Sequence, residues 1–216
     1  MGIISRFPAG ATEPYIEETY DSDGNLIDVK LHGYTKIRDN AFSDCYNLSH
    51  TSLPDEIVGI GIYAFRACFS LALTSLPAGI TSIGGGAFYN CESITLTSLP
   101  AGISSIENGA FSSCTHLALT NLPSGITRVG TDAFSGCVNL ALTSLPAGIT
   151  SIGSSAFYGC TGLTELTFMG TPTSIEFDAF VGCENLTTIN VPWAEGAVAN
   201  APWGATNATI NYGYIS

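Results

Sequence analysis

The chain of 216 residues is 45% hydrophobic and only 11% charged, and it contains 24 glycines and 10 prolines, which is too apolar for a disordered chain and too interrupted for one long helix. Eighteen Asp and Glu against six Lys and Arg give a net charge of −12, and no basic residue follows Arg128, so we expect no nucleic-acid partner. No stretch approaches the ~20 consecutive apolar residues of a membrane span, so we expect no membrane insertion.

The N-terminal segment predicts a β-hairpin. Residues 15–20 and 26–31 read as two strands joined by a turn at Asp23-Gly24. We expect the second strand to join the sheet of the repeats that follow, and Glu17 and Glu18 to discourage edge-to-edge pairing. Residues 1–33 are therefore predicted to cap the N-terminal end.

From residue 34 the sequence repeats every 23 residues. A Cys follows each Phe of a recurring Ala-Phe dipeptide by three positions, and an aliphatic residue follows it by six. This pattern accounts for all seven cysteines. The seven phenylalanines, called here the Phe column, are Phe42, Phe65, Phe88, Phe111, Phe134, Phe157 and Phe180. A fixed period of this length is typical of a solenoid.

Each repeat can be interpreted as one coil. Thr-Ser-Leu predicts a short strand, Pro and Gly predict a turn, and Ala-Phe-x-x-Cys-x-x-Leu has the spacing of one or two helical turns. Because one coil cannot bury its own apolar face, we expect the coils to stack, with strands in parallel at ~4.8 Å per rung. The solenoid is predicted over residues 34–192.

The C-terminal segment departs from the repeat. The Ala-Phe pattern ends at Phe180, and residues 193–216 contain the two tryptophans of the chain, Trp193 and Trp203. We expect these rings to cover the last coil, with a final strand near residues 208–212. Residues 193–216 are therefore predicted to form the C-terminal cap.

The repeat unit is Ala-Phe-x-x-Cys-x-x-Leu, followed by a strand and Leu-Pro-x-x-Ile-x-x-Ile. This unit resembles the BspA-like type of leucine-rich repeat. The resemblance implies an α/β, right-handed solenoid with a parallel sheet on one face and short helical turns on the other. It also implies an extracellular or cell-surface protein of bacterial type, although the first residues show no secretory signal. More loosely, Ser5-Arg6-Phe7-Pro8 and Ala201-Pro202-Trp203-Gly204 resemble proteins of gut bacteria and their phages, which adds a virion-associated location.

The strand pattern changes along the chain. We count positions from the aliphatic residue after each Cys, taken as zero. The sixth and seventh copies have apolar residues at +3 and +5, as expected of a strand with one buried face: Leu166 and Phe168, Ile189 and Val191. The second to fifth copies have Leu at +2 (Leu73, Leu96, Leu119, Leu142) and Thr at +3 (Thr74, Thr97, Thr120, Thr143), with Leu retained at +5.

Two interpretations of these copies remain open. A regular strand would bury the four threonines and expose the leucines at +2 as an apolar stripe, flanked in the same column by His50 and Glu165. A bend at +3 would instead point both leucines inward and the threonines outward. We favour the exposed stripe, because the regular last copies must stack in register with the others.

The favoured function is a non-enzymatic binding or adhesion module that recognises a protein or glycan on the sheet face. The candidate contacts are the +2 column (Leu73, Leu96, Leu119, Leu142), the +4 column (Ser75, Ser98, Asn121, Ser144) and the flanking His50 and Glu165. The alternative is a structural or spacer element of a phage tail or surface appendage, which the near-identity of the middle copies favours. The sequence leaves the oligomeric state open.

The sequence shows no motif typical of a catalytic site or a metal site. The cysteines form no Cys-x-x-Cys pair and always lie 23 residues apart, which predicts buried free thiols. His32, His50 and His116 share no motif with a nucleophile. Residues 21–25 resemble a calcium loop only partly and favour a hairpin turn. We therefore expect no enzyme activity, metal or cofactor.

Overall fold

A computed structural model describes residues 2–5 and 14–215, with side chains for 14–215. The loosely phage-like segment Arg6-Phe7-Pro8 lies outside the described residues. The strands in chain order are β1 (Gly2–Ser5), β2 (Tyr15–Tyr20), β3 (Leu26–His32), β4 (Lys36–Ile37), β5 (Gly59–Ile60), β6 (Ser82–Ile83), β7 (Ser105–Ile106), β8 (Arg128–Val129), β9 (Ser144–Leu145), β10 (Ser151–Ile152), β11 (Glu165–Phe168), β12 (Ser174–Ile175), β13 (Thr188–Val191) and β14 (Thr209–Tyr212).

The coils stack as parallel rungs, which confirms the leucine-rich-repeat solenoid at the level of its architecture. Two sheets of short strands, ordered β4-β5-β6 and β7-β8-β10-β12, run along one side. Their register is one repeat per rung, since Ile37 lies beside Ile60 and Ile60 beside Ile83. A third parallel sheet, ordered β14-β13-β11-β9, covers the C-terminal part of another side, which we call the sheet face.

The prediction of short helical turns is wrong, because the Ala-Phe segments form successive turns and residues 14–215 contain no helix. Each Phe N–H donates to a carbonyl of the next coil, as in Phe65 to Ala87 at 2.8 Å, and not to a carbonyl four residues back. The residue two positions after each Phe also has a positive φ, which interrupts a right-handed helix. These residues are Asp44, Ala67, Asn90, Ser113, Gly136, Gly159 and Gly182.

The core consists of columns that run along the solenoid axis. The rings of the Phe column stack from the first coil to the seventh, with centroids 5.0 to 5.7 Å apart and planes within 17° of parallel. The Ile, Cys and Leu positions of the repeat line the same core. Each coil therefore buries its apolar side chains against its neighbours.

Both ends of the stack are covered. The β2–β3 hairpin supplies buried Val29, and the Ile27 carbonyl accepts the N–H of Ser49 in the first coil at 2.9 Å. At the other end Trp203 is fully buried, and its carbonyl accepts the N–H of Phe180 at 2.9 Å. Trp193 packs edge-on against Phe168, with centroids 5.2 Å apart.

The expectation of an exposed leucine stripe is wrong. The leucines at +2 are at most 2% exposed, whereas the threonines at +3 face solvent. The buried leucines are Leu73, Leu96, Leu119 and Leu142. A bend at +3 turns +2 and +5 inward together and leaves each Thr hydroxyl in water, where it needs no protein partner.

The bend is compatible with stacking on the regular copies because register is set at +4 and +5. Thr167 pairs with Ser144 and Phe168 pairs with Leu145 across β11 and β9. Only the residues before this pairing differ between bent and regular copies. Within the described chain, the second to fourth copies accordingly form no strand at the predicted Thr-Ser-Leu position.

Asp substitutions at +2 and at +3 test whether the leucines are buried and the threonines exposed, as the bend requires. We expect Leu96→Asp and Leu119→Asp to lower the free energy of unfolding by about 3 kcal/mol or more each, since each removes core packing and buries a charge. The matched variants Thr97→Asp and Thr120→Asp should stay within about 0.5 kcal/mol of wild type. Urea unfolding followed by circular dichroism measures both, and equal losses in the Leu and Thr variants would contradict the bend.

Candidate functional site

The sheet face now presents two polar columns in place of the leucine stripe. The Thr column (Thr74, Thr97, Thr120, Thr143) is exposed, and beside it Ser75, Ser98 and Asn121 are exposed and Ser144 is half-buried. The structure thus brings together the predicted +4 residues and adds the threonines. It removes the leucines from any contact surface.

The two flanking residues lie at opposite ends of the solenoid. His50 is half-buried, and its Nδ1 lies 2.6 Å from Oδ1 of Asp28 in β3, so it links the first coil to the hairpin. Glu165 is exposed at the start of β11. Glu165 also lines an open groove.

This groove, of about 440 Å³, crosses the C-terminal part of the sheet face. Met169 and Tyr214 provide apolar surface, with 48% and 42% of each residue exposed. Hydroxyl and carboxylate groups from neighbouring coils provide the polar surface. The lining includes Thr143, Ser144, Glu165, Thr167, Met169 and Tyr214.

A hydrogen-bonded network holds the polar side of the groove. The Asn190 amide, only 2% exposed, donates to Oε1 of Glu165 at 2.8 Å and to Oγ1 of Thr167 at 3.2 Å. The Asn211 amide donates to Oδ1 of Asn190 at 2.8 Å. These bonds fix the Glu165 carboxylate before any ligand arrives, which lowers the entropic cost of binding.

Sequence reasoning missed Asn190, Asn211, Met169 and Tyr214. Asn190 occupies the +4 column of the seventh copy, so extending that column from Ser144 by two repeats would have found it. Asn211 and Tyr214 lie beyond the repeats. The pairing of β14 with β13 brings Asn211 to this face, and Tyr214 follows β14 and donates its N–H to the Val191 carbonyl at 2.9 Å.

The cysteines form a buried ladder and not a reactive site. Each thiol from the second coil onward donates to the carbonyl of the preceding coil's Phe, with Sγ···O distances of 2.9 to 3.1 Å, as in Cys114 to Phe88. Burial raises the pKa of Cys68, Cys137 and Cys183 to about 12 and raises the pKa of the other ladder thiols well above 9.0. A nucleophilic thiol needs the opposite shift.

The remaining candidates for chemistry are also separate. Among the residues with described side chains, no group of three or more His, Cys, Asp or Glu is placed to hold a metal ion. His116 lies on the surface with its Nδ1 2.7 Å from the Glu92 carbonyl. The Asp21 carboxylate accepts the N–H groups of Asp23 and Asn25, as a hairpin turn requires.

Comparison with models of protein families shows which family has this repeat. A model of the BspA type leucine rich repeat region matches six copies, over residues 35–160 and 130–196. The chain belongs to the BspA-type leucine-rich repeat family. The family match confirms the resemblance in the repeat unit, and it indicates no catalytic family.

Solved leucine-rich repeat proteins share the fold of this BspA-type chain. The leucine-rich repeat protein of T. pallidum is 27% identical with a TM-score of 0.63, covering 83% of this chain and 90% of that one. A leucine-rich repeat protein from Bacteroides ovatus is 26% identical with a TM-score of 0.56, and the match covers 82% of this chain and 52% of that one. The pneumococcal vaccine antigen PcpA, at 21% identity and TM-score 0.61 over 89% and 47%, supports the fold alone. No curated protein matches the sequence. The described residues contain no helix suited to crossing a membrane.

The buried thiols predict a steep loss of stability at alkaline pH. An unfolded thiol has a pKa near 9.0, whereas the pKa of folded Cys68, Cys137 and Cys183 is about 12. Their contribution to the free energy of unfolding is therefore fully present below pH 9 and is lost as the pH rises towards 12. Each such thiol contributes a slope of about 1.4 kcal/mol per pH unit within that range. Unfolding free energies from pH 8 to 11 should show this decline, and Cys114→Ala should reduce the slope by one thiol's share. A slope that Cys114→Ala leaves unchanged would contradict the assignment.

Proposed function

We propose that this chain is a non-enzymatic binding module with an adhesive role, recognising a protein or glycan partner through the sheet face. Leucine-rich repeat families generally supply interaction modules, and stacked coils present extended surfaces. The observation that carries the proposal is the groove beside Glu165, where Asn190 fixes polar groups next to exposed Met169 and Tyr214. Convergent polar groups within partly apolar walls are typical of binding sites.

The polar columns extend this surface along the solenoid. Their hydroxyl groups recur with each coil, and each hydroxyl both donates and accepts hydrogen bonds. Short Thr and Ser side chains also lose little conformational freedom when a partner covers them. The Thr column and the +4 column can therefore form hydrogen bonds along an extended partner that also occupies the groove.

The charge of the groove indicates the chemistry of the partner. Glu165 is a carboxylate, and no Lys or Arg follows Arg128 in the chain. A partner that presents basic side chains, amide N–H groups or hydroxyl groups would complement this surface, whereas an acidic one would be repelled.

We also propose an extracellular, cell-surface or virion-associated location. The family resemblance supports it, since BspA-type repeats are implied to be largely surface and secreted proteins. An outward-facing binding surface agrees with such a location.

A structural or spacer role is the second candidate. Burial of Leu73, Leu96, Leu119 and Leu142 removes the apolar stripe that favoured recognition along the middle coils. The middle copies then present nearly the same short polar residues on every rung. In this role the ends of the solenoid, and not the sheet face, would contact the rest of an assembly.

A matched pair of charge reversals tests the proposed site. The wild-type chain is first screened against a glycan array and a panel of purified extracellular-matrix proteins, and affinities for each ligand found are measured by calorimetry. We expect Glu165→Lys to weaken binding about tenfold or more, because it reverses the charge that Asn190 holds in the groove. Glu176→Lys makes the same charge change on an exposed residue outside the groove and should change affinity less than about twofold.

Equal effects of the two variants would contradict a site at the groove, and so would the absence of any ligand from both panels. Binding that survives Glu165→Lys but is lost with Glu195→Lys, at an exposed residue of the C-terminal cap that lies outside the sheet face, would support the spacer role.

A further inference from the structure

A second groove lies on the turns that flank the Phe column, apart from the columns of the sheet face. It measures about 390 Å³ and is lined by Asn40, Tyr63, Arg66 and Tyr89, which belong to the first three coils. Tyr63 and Tyr89 are 44% and 39% exposed. The two aromatic residues lie beside the amide of Asn40 and the guanidinium of Arg66.

The backbone of Tyr63 is strained. The residue two positions before Phe has a positive φ in the first six coils, and φ is 51° at Tyr63. Gly, Asn, Asp and Ser hold this position elsewhere, at Asn40, Gly86, Gly109, Asp132 and Ser155. A bulky residue in this region is a genuine outlier, and such strain concentrates at functional sites. Tyr63 is the one bulky residue among these six positions.

The neighbouring coil makes room for the Tyr63 ring. A Cβ atom at Gly86 would overlap Cε1 and Cδ1 of that ring. At Gly109, the equivalent position one coil further on, a Cβ atom would meet nothing within 4 Å. Gly86 therefore lets the ring lie across the backbone of the third coil.

The polar groups of the groove are held in place and balanced in charge. Nη1 of Arg66 donates to both carboxylate oxygens of Asp44 at 3.1 Å. This pairing orients the Arg66 guanidinium and offsets its charge. A guanidinium carries five N–H donors, so donors that do not contact Asp44 remain for a ligand. Asn40 adds an amide that both donates and accepts. The groove thus combines aromatic faces with planar hydrogen-bonding groups and little net charge.

We propose that this groove binds a neutral glycan, with the C–H face of a pyranose ring stacked on Tyr63. A pyranose has an apolar face for an aromatic ring and hydroxyl groups at its rim, which both donate and accept hydrogen bonds. Asn40 and Arg66 receive those hydroxyl groups, and Tyr89 bounds the groove on the third coil. The strain at Tyr63 places its ring as the stacking platform. This site goes beyond the proposed sheet-face function and can fail or succeed separately.

Two asparagine substitutions at equivalent positions test the stacking platform. Asn adopts the required backbone, as Asn40 does. In Gly86→Asn the new Cβ displaces the Tyr63 ring, whereas in Gly109→Asn it enters open space. Using an array of neutral oligosaccharides followed by calorimetry on the bound ones, we expect Gly86→Asn to weaken binding about tenfold or more. Gly109→Asn should leave the affinity within about twofold of wild type.

Tyr63→Asn separates binding from folding. Because Asn tolerates this φ better than Tyr, the melting temperature should stay the same or rise while glycan binding is lost. The proposal is overturned if no neutral oligosaccharide on the array binds, or if binding survives Tyr63→Asn. It is also overturned if the groove binds a proline-rich peptide from a matched peptide array and no glycan.

Discussion

The hydrogen bond from each column Phe N–H to the following coil is the interaction on which the rest of the structure depends. Its N···O distance is 2.8 to 2.9 Å in all seven coils, and the residue two positions later donates a second bond to the next coil in the first six. The pair fixes one coil per 23 residues, which brings the phenylalanine rings into a continuous stack. It also directs each Phe carbonyl towards the thiol of the next coil, so that a small side chain with one donor suits that position. The positive φ in every turn is the conformational cost of this geometry.

Because the turns and the short Ile strands hold the rungs together, the opposite side of each coil is free to vary. The middle copies bend at Thr and bury two leucines, whereas β11 and β13 run as regular strands and carry the Glu165–Asn190 network. The turns themselves can also vary where a neighbour gives room, as Gly86 does for Tyr63. Both candidate binding surfaces thus consist of side chains that vary from coil to coil, on backbone that the bonds between coils hold in place.

Much of this architecture was predictable because the 23-residue period exposes the core columns directly. The hairpin forms at residues 15–32 and both tryptophans are buried. The expectation that its second strand joins the sheet of the repeats is wrong, because β3 pairs with β2 in a separate sheet. The strand with Glu17 and Glu18 is also not an edge, since β1 pairs with it. Helical turns were predicted in error because apolar residues three positions apart are compatible both with a helix and with successive turns. The sequence of a single repeat does not show whether its N–H groups bond within the coil or to the next coil. The leucine register was wrong because the bent fifth copy pairs with the regular sixth copy at +4 and +5, as Ser144 does with Thr167, so the two can stack without sharing a conformation at +2 and +3. Asn211 and Tyr214 reach their site through β14, which belongs to no repeat.

Amide hydrogen exchange of the Phe column tests the central interaction most directly. The N–H groups of Phe65, Phe88, Phe111 and Phe134, each bonded to the next coil, should exchange only through global unfolding. Their exchange free energies should therefore equal the free energy of unfolding measured with denaturant. Exchange of these amides through local opening, at a free energy well below the global value, would contradict the claim that this bond holds the coils in register.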